Sequence, residues 1–161
     1  MKLLMIIPAY NEEENIVGVV NMIKEKYPEY DYVVVNDGST DSTSAKCHEY
    51  GFEIIDLPVN LGLAGAFQTG MKYASYKNYD YALQFDADGQ HKPEYIKAML
   101  EKMEQGYDIV IGSRFVTKKK NHGLRMAGSR MITSAIRLTT GKKINDPTSG
   151  MRMFNKTMIK E

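Results

Sequence analysis

The 161-residue chain holds a single cysteine, Cys47, which excludes an internal disulfide framework and a cysteine-rich zinc site. It has no apolar stretch near the roughly 20 residues needed to cross a bilayer, so any membrane association is expected to be peripheral or to depend on sequence outside this chain. The first apolar stretch, residues 3–7, is brief, and Pro8, Asn11 and three glutamates follow at once. No secretory signal is expected there, and the cysteine usage suits a reducing, cytoplasmic setting. Internal repeats and low-complexity segments are missing too. Acidic residues are absent from one long stretch: residues 114–143 hold nine Lys and Arg and no Asp or Glu. Residues 1–113 hold nine basic against 18 acidic residues, so the formal net charge of +1 conceals two regions of opposite sign. A stretch this one-sided can hold anions through its local field; a solvated basic loop and helix face would have the same composition.

What is present reads as one domain. A length of 161 residues, 43% hydrophobic and 25% charged, suffices for one core and is too short to expect two. Residues 2–7 form a continuous apolar run without alternation, as expected for a strand buried on both faces of a parallel sheet. Pro8-Ala9-Tyr10-Asn11 breaks it, and residues 12–26 carry Ile16, Val19, Val20 and Ile23 at helical spacing. Asn11 is the expected N-cap, with Glu12, Glu13 and Glu14 where the helix dipole favours acids. The unit recurs, with strands predicted at 32–35, 52–57, 79–85 and 108–111. Helices are predicted at 43–50, 63–74 and 94–105, with Pro93 opening the last. Regular alternation of this kind predicts an α/β fold with a mainly parallel sheet and right-handed crossovers. Ligands gather at the carboxyl ends of strands in such sheets. The polar loops 8–11, 36–39, 86–90 and 112–114 are therefore expected at one edge.

One of these loops carries Asp86 and Asp88, separated by a single residue. Extended geometry puts both on one side of the backbone, and two neighbouring anions repel unless a cation sits between them. Oxygen-only ligands suit Mg²⁺ or Mn²⁺. Asp and Gly are also common wherever a strand ends, so an ordinary turn gives the same pattern. Beyond Arg114, residues 116–123 read as a basic loop with Lys118, Lys119 and Lys120. Residues 124–138 read as an amphipathic helix with Leu124, Met131, Ala135 and Leu138 on one face and Arg130 and Arg137 opposite. Such a helix packs on a core, or its cationic side meets an anionic acceptor or membrane surface. Residues 145–150 form a polar turn cluster and 151–154 a short strand. A helix then opens at Asn155 and the chain ends at Glu161 after one turn, which reads as C-terminal truncation of a longer protein.

Taken together, five ordered motifs resemble family 2 glycosyltransferases, which have the GT-A fold. They are Ile7-Pro8-Ala9-Tyr10-Asn11-Glu12-Glu13, Val35-Asn36-Asp37-Gly38-Ser39-Thr40-Asp41, Asn60-Leu61-Gly62, Asp86-Ala87-Asp88-Gly89-Gln90 and Gly112-Ser113-Arg114. The chain most resembles the branch of dolichol-phosphate mannosyltransferases and bacterial polyprenyl-phosphate glycosyltransferases, and Asp146-Pro147-Thr148-Ser149-Gly150-Met151-Arg152 is similar to their later acceptor-side motif. The resemblance implies one catalytic domain over residues 1–161, with 1–113 the nucleotide-sugar-binding half and 114–161 the start of the acceptor-binding half. It implies inverting transfer from a UDP- or GDP-sugar to a polyprenyl phosphate, or to a saccharide hydroxyl, with Mg²⁺ or Mn²⁺ as cofactor.

The same resemblance implies residue roles. Pro8, Tyr10 and Glu12 would contact the base and ribose, and Asp37 would hydrogen-bond one of them. Asp86 would face the ribose and metal, Asp88 would bind the cation bridging the donor diphosphate, and Gln90 would help position it. Arg114 would hold diphosphate oxygens, unless it is simply a surface arginine opening a basic loop. Asp146 would be a general base toward a hydroxyl acceptor; with a phosphate acceptor it would orient the loop, or serve only its turn. Arg152 and the basic segment would then hold the acceptor phosphate. His91, alone, is read as structural or solvent-exposed. Peripheral contact at the cytoplasmic membrane face would run through residues 114–143, and no nucleic-acid partner is expected. Two other readings stand beside this one: a nucleotide-binding α/β module with little activity, and, more remotely, a phosphoacceptor domain with its own strand-end aspartates.

Overall fold

All seven residues of strand β1 (Leu3–Ala9) are buried, and the sheet is built outward from them. The computed structural model describes residues 1–86, 95–112 and 151–161. On one side β1 pairs in parallel with β2 (Asp31–Asn36), which pairs in parallel with β3 (Ile54–Asp56). On the other side it pairs in parallel with β4 (Tyr81–Gln84). Beyond β4 lies β6 (Arg152–Asn155), antiparallel both to β4 and to the edge strand β5 (Ile109–Ile111). The order is β3-β2-β1-β4-β6-β5, so a mainly parallel sheet is present as the strand and helix alternation predicts.

The run in β1 lacks alternation because both faces are covered. Leu3, Met5, Ile7 and Ala9 point into one core, shared with Ile16, Val19, Val20 and Ile23 of α1 (Ile16–Lys26). That core also holds Cys47 of α2 (Thr43–Glu49) and Met99, Leu100 and Met103 of α4 (Ile96–Glu104). Leu4 and Ile6 point the other way, toward Ala66 and Ala74 of α3 (Gly62–Tyr76) and Ile159 of α5 (Lys156–Lys160). Burial pushes the Cys47 thiol up to about 11, so it packs as a small apolar residue. Helix α1 follows β1 on one face, while α3 leads into β4 on the other, and the chain diverges between these two neighbouring strands.

Most elements lie within a few residues of their predicted spans. One local expectation is corrected: Asn11 is not the N-cap of α1. Its φ is +55°, its side-chain oxygen accepts the Thr40 N–H at 2.9 Å, and α1 starts only at Ile16. The Asn15 and Ile16 amides donate to the Glu12 carbonyl at 3.0 and 2.9 Å, so the three glutamates lie in a preceding turn. At the far edge, the Gly112 amide donates to the Met151 carbonyl at 2.8 Å, and a β-carbon at Gly112 would lie 3.3 Å from that of Met151. The helix predicted at 124–138, the basic loop 116–123 and the turn cluster 145–150 lie outside the described residues, as do Asp88, Gln90, His91, Arg114 and Asp146. Among the described residues no helix is long and apolar enough to cross a membrane.

At Gly70 α3 lies tight against the sheet: a β-carbon there would overlap Cγ2 of Ile6, which is wholly buried and β-branched. With no soft side-chain end to yield, Gly70→Ala is expected to lower unfolding free energy by about 1–3 kcal/mol. Urea titration of the two proteins checks this; equal midpoints would refute it.

Candidate active site

Strands β1, β2 and β4 end at one edge of the sheet, where α1 and α3 part to opposite faces. A crevice at such a divergence is where α/β sheets take ligands. A pocket of about 390 Å³ lies there. Pro8, Ala9, Tyr10 and Glu12 line it from the end of β1, Asp37 from the end of β2 and Asp86 from the end of β4. Asn60, Gly62, Leu63 and Ala66 close it from the start of α3. Five residues singled out in the sequence (Pro8, Tyr10, Glu12, Asp37 and Asp86) thus meet in one cavity. Arg152 does not line it, but in register it sits opposite Gln84 at the same edge. The end of β5 lies one strand further out, since β6 separates β5 from β4.

Each lining residue is held by its neighbours. Asp37 is 3% exposed; its amide donates to the Ala9 carbonyl at 2.8 Å and its Oδ1 accepts the Leu61 N–H at 2.7 Å. This second bond ties the loop before α3 to the end of β2. Gly38 permits the approach: its φ is +66°, and a β-carbon would lie 2.8 Å from the Asn60 nitrogen and the Val59 carbonyl carbon. Asn36 is buried beside it; its amide donates to Asp56 Oδ1 at 2.7 Å, and its Oδ1 accepts the Ser39 N–H at 3.2 Å. Tyr10 stays 47% exposed, so its ring is not spent on the core. Asp86 continues β4 two residues past Gln84, whose amide reaches its Oδ1 at 3.4 Å.

Behind the pocket, the loops after β1 and β2 are cross-braced. Asp41 Oδ1 accepts the Thr43 amide at 2.9 Å and the Thr43 hydroxyl at 2.6 Å, while Oδ2 accepts the Glu13 amide at 3.1 Å. Partial burial works against the Asp41 charge, but these hydrogen bonds outweigh it and hold the carboxyl below its usual range. Asp56 is likewise lowered: burial opposes the charge, and bonds from Asn36, His48 and Ser44 favour it.

The pocket presents three carboxylates, from Glu12, Asp37 and Asp86, and among the described residues no lysine or arginine lines it. Among the described residues no group of three or more His, Cys, Asp or Glu side chains converges as a metal site. Asp86 supplies a hard oxygen donor of the kind Mg²⁺ and Mn²⁺ take, and Asp88, the other expected ligand, lies outside the described residues. Sequence reasoning gave no role to Leu63 and Ala66. The signal that could have found them is positional, because the first turn of α3 must face the edge where β1 and β2 end.

A mainly parallel sheet with an acidic pocket at the carboxyl ends of β1, β2 and β4 defines an α/β architecture with its crevice at the strand ends. Residues 5–161 match Glycosyl transferase family 2, and the chain belongs to that family. It is 30% identical over 167 residues to the polyprenol monophosphomannose synthase of Mycolicibacterium smegmatis, covering 98% of this chain and 63% of that protein. It is 35% identical over 171 residues to the dolichol-phosphate mannosyltransferase of Pyrococcus furiosus, covering 99% of this chain and 47% of that protein. The fold matches the crystal structure of glucosyl-3-phosphoglycerate synthase from Mycobacterium tuberculosis in complex with Mn²⁺ and UDP-glucose. The TM-score is 0.72 and the identity 21%, over 98% of this chain and 57% of that one. The architecture is the GT-A fold, and the sequence relatives place the chain in the polyprenyl-phosphate branch of the family. The chain spans between about half and two thirds of the length of these relatives.

A carboxyl held low in the folded state favours folding above its unfolded value, and that contribution is lost as pH falls through the folded one. Stability is therefore expected to drop as pH moves from neutral into the carboxylate range, with Asp41 and Asp56 contributing. Asp41→Asn, although less stable at neutral pH, is expected to show a flatter decline. Urea midpoints measured across that range check it; parallel declines would remove Asp41 from the account.

Proposed function

We propose that this domain is an inverting glycosyltransferase that moves a sugar from a UDP- or GDP-sugar to a polyprenyl phosphate with the aid of Mg²⁺ or Mn²⁺. Residues 1–113 form the donor half and 114–161 the start of the acceptor half. The observation that carries the reading is the pocket in which Pro8, Tyr10, Glu12, Asp37 and Asp86 meet at the carboxyl edge of the sheet. Pro8 and the partly exposed Tyr10 offer apolar surface to a base, and Glu12 and Asp37 are acceptors for ribose hydroxyls or a base N–H. A carboxylate has several lone-pair sites, so the bond from Leu61 does not exhaust Asp37.

Three carboxylates lining the pocket would repel a diphosphate, and that supports a cation between them. Asp86 and Asp88 would hold it, with Gln90 and Arg114 flanking the diphosphate. A bound Mg²⁺ or Mn²⁺ would neutralise charge developing on the nucleoside diphosphate as it leaves. An oxygen of the acceptor phosphate attacks the anomeric carbon from the face opposite the diphosphate. The new C–O bond forms as the old one breaks, and the diphosphate departs with the electron pair. The acceptor phosphate is already ionised near neutral pH, so Asp146 orients the acceptor loop rather than taking a proton. Arg152, in register with Gln84, would hold the acceptor phosphate together with the basic segment 114–143, which would also rest on the cytoplasmic membrane face.

Transfer from a UDP- or GDP-sugar to a polyprenyl phosphate is expected to stop with chelator and to fall on the order of 100-fold or more in Asp88→Ala. Unchanged turnover by metal-free Asp88→Ala protein would sink the proposal. Calorimetry showing metal-dependent nucleotide binding with no donor consumed would instead favour a binding module. Asp37→Ala is expected to weaken UDP or GDP binding about tenfold or more, because a hydrogen bond to a charged group is lost. Equal affinities would remove Asp37 from the donor site.

A further inference from the structure

We infer that Asp41 and Thr43, neither of which lines the pocket, are positioning residues that lock the loop carrying Tyr10 and Glu12 into its ligand-ready form. The inference rests on the nucleotide-sugar reading of that pocket. Capping of α2 is the simplest use of an aspartate two residues before a helix's first amide, and the bond from the Thr43 N–H to Asp41 serves it. Capping does not account for the rest. The second Asp41 oxygen takes the amide of Glu13, 28 residues away. The Thr43 hydroxyl, wholly buried, donates to Asp41 and accepts the amide of Glu12 at 2.9 Å, 31 residues away.

The brace is reciprocal. Glu13 Oε2 accepts the Ser42 amide at 3.0 Å, and the Lys46 ammonium donates to the Glu13 carbonyl at 2.8 Å. The Asn11 amide donates to Ser39 Oγ at 3.0 Å, and its side-chain oxygen accepts the Thr40 amide. These bonds hold Asn11 at φ +55°, in the left-handed region that asparagine enters more readily than other L-residues. Tyr10 and Glu12 flank that residue, so the direction in which both enter the pocket is set by the loop after β2. A loop that is competent only part of the time weakens apparent affinity by that fraction: competent one tenth of the time, it binds about tenfold more weakly.

The test compares Thr43→Val, which keeps the shape and removes the hydroxyl, with Thr43→Ser, which keeps the hydroxyl. With UDP and GDP as probes in the presence of Mn²⁺, Thr43→Val is expected to raise the Kd about tenfold and Thr43→Ser to stay within about twofold of wild type. Without nucleotide, hydrogen exchange at the Asn11, Glu12, Glu13 and Thr40 amides is expected to speed up in Thr43→Val and not in Thr43→Ser. Should Thr43→Val fail to fold, Asp41→Asn replaces it with the same expectations. A variant that melts earlier yet keeps wild-type Kd and wild-type exchange at these four amides overturns the inference. If the wild-type protein binds neither nucleotide, the donor reading fails, and the exchange pattern alone decides whether the lock exists.

Discussion

The rest of the molecule depends on burying β1 on both faces. With every side chain from Leu3 to Ala9 out of water, its backbone amides and carbonyls must be met by flanking strands, and β2 and β4 do so in parallel register. Parallel neighbours require crossovers, and crossovers put helices over both faces. Each buried Leu or Ile contributes about 1.5–3 kcal/mol relative to exposure, so substitutions in this strand are costly. The cleft follows from the same constraint. Because α1 leaves β1 over one face while α3 approaches β4 over the other, the carboxyl ends of the two strands cannot be covered by the same helix.

The order and type of most elements could be read from the sequence, because an apolar run with no alternation and a 3.6-residue period have few structural solutions. The place of β6 could not. Residues 151–154 read as a short strand, but nothing local says that it inserts antiparallel between β4 and β5, a choice made by pairing with strands some 40 to 70 residues distant. Asn11 misled for a related reason: an asparagine before a helical pattern is a good cap, yet its side chain serves Thr40 in the loop after β2. In the site, Pro8, Tyr10, Glu12, Asp37 and Asp86 were legible from strand-end position and motif. The tie from Asp37 to Leu61, the contributions of Leu63 and Ala66, and the brace centred on Asp41 depend on how separate loops meet.

Electrostatically, the described lining of the pocket is acidic. Its carboxylates suit hydroxyls and N–H edges, and among the described residues no lysine or arginine lines it. The balancing charge in this chain is segregated into residues 114–143, where basic residues occur without acidic ones.

The hydrogen bond from Gly112 to Met151 has an architectural consequence. Residues 113–150, 38 positions in all, leave the sheet and re-enter it through adjacent backbone groups. Their length is therefore decoupled from strand spacing, and closing a longer segment adds only a logarithmic entropy term. In evolutionary terms this stretch is an exchangeable cassette: it can be lengthened, shortened or replaced while β5 and β6 keep their pairing.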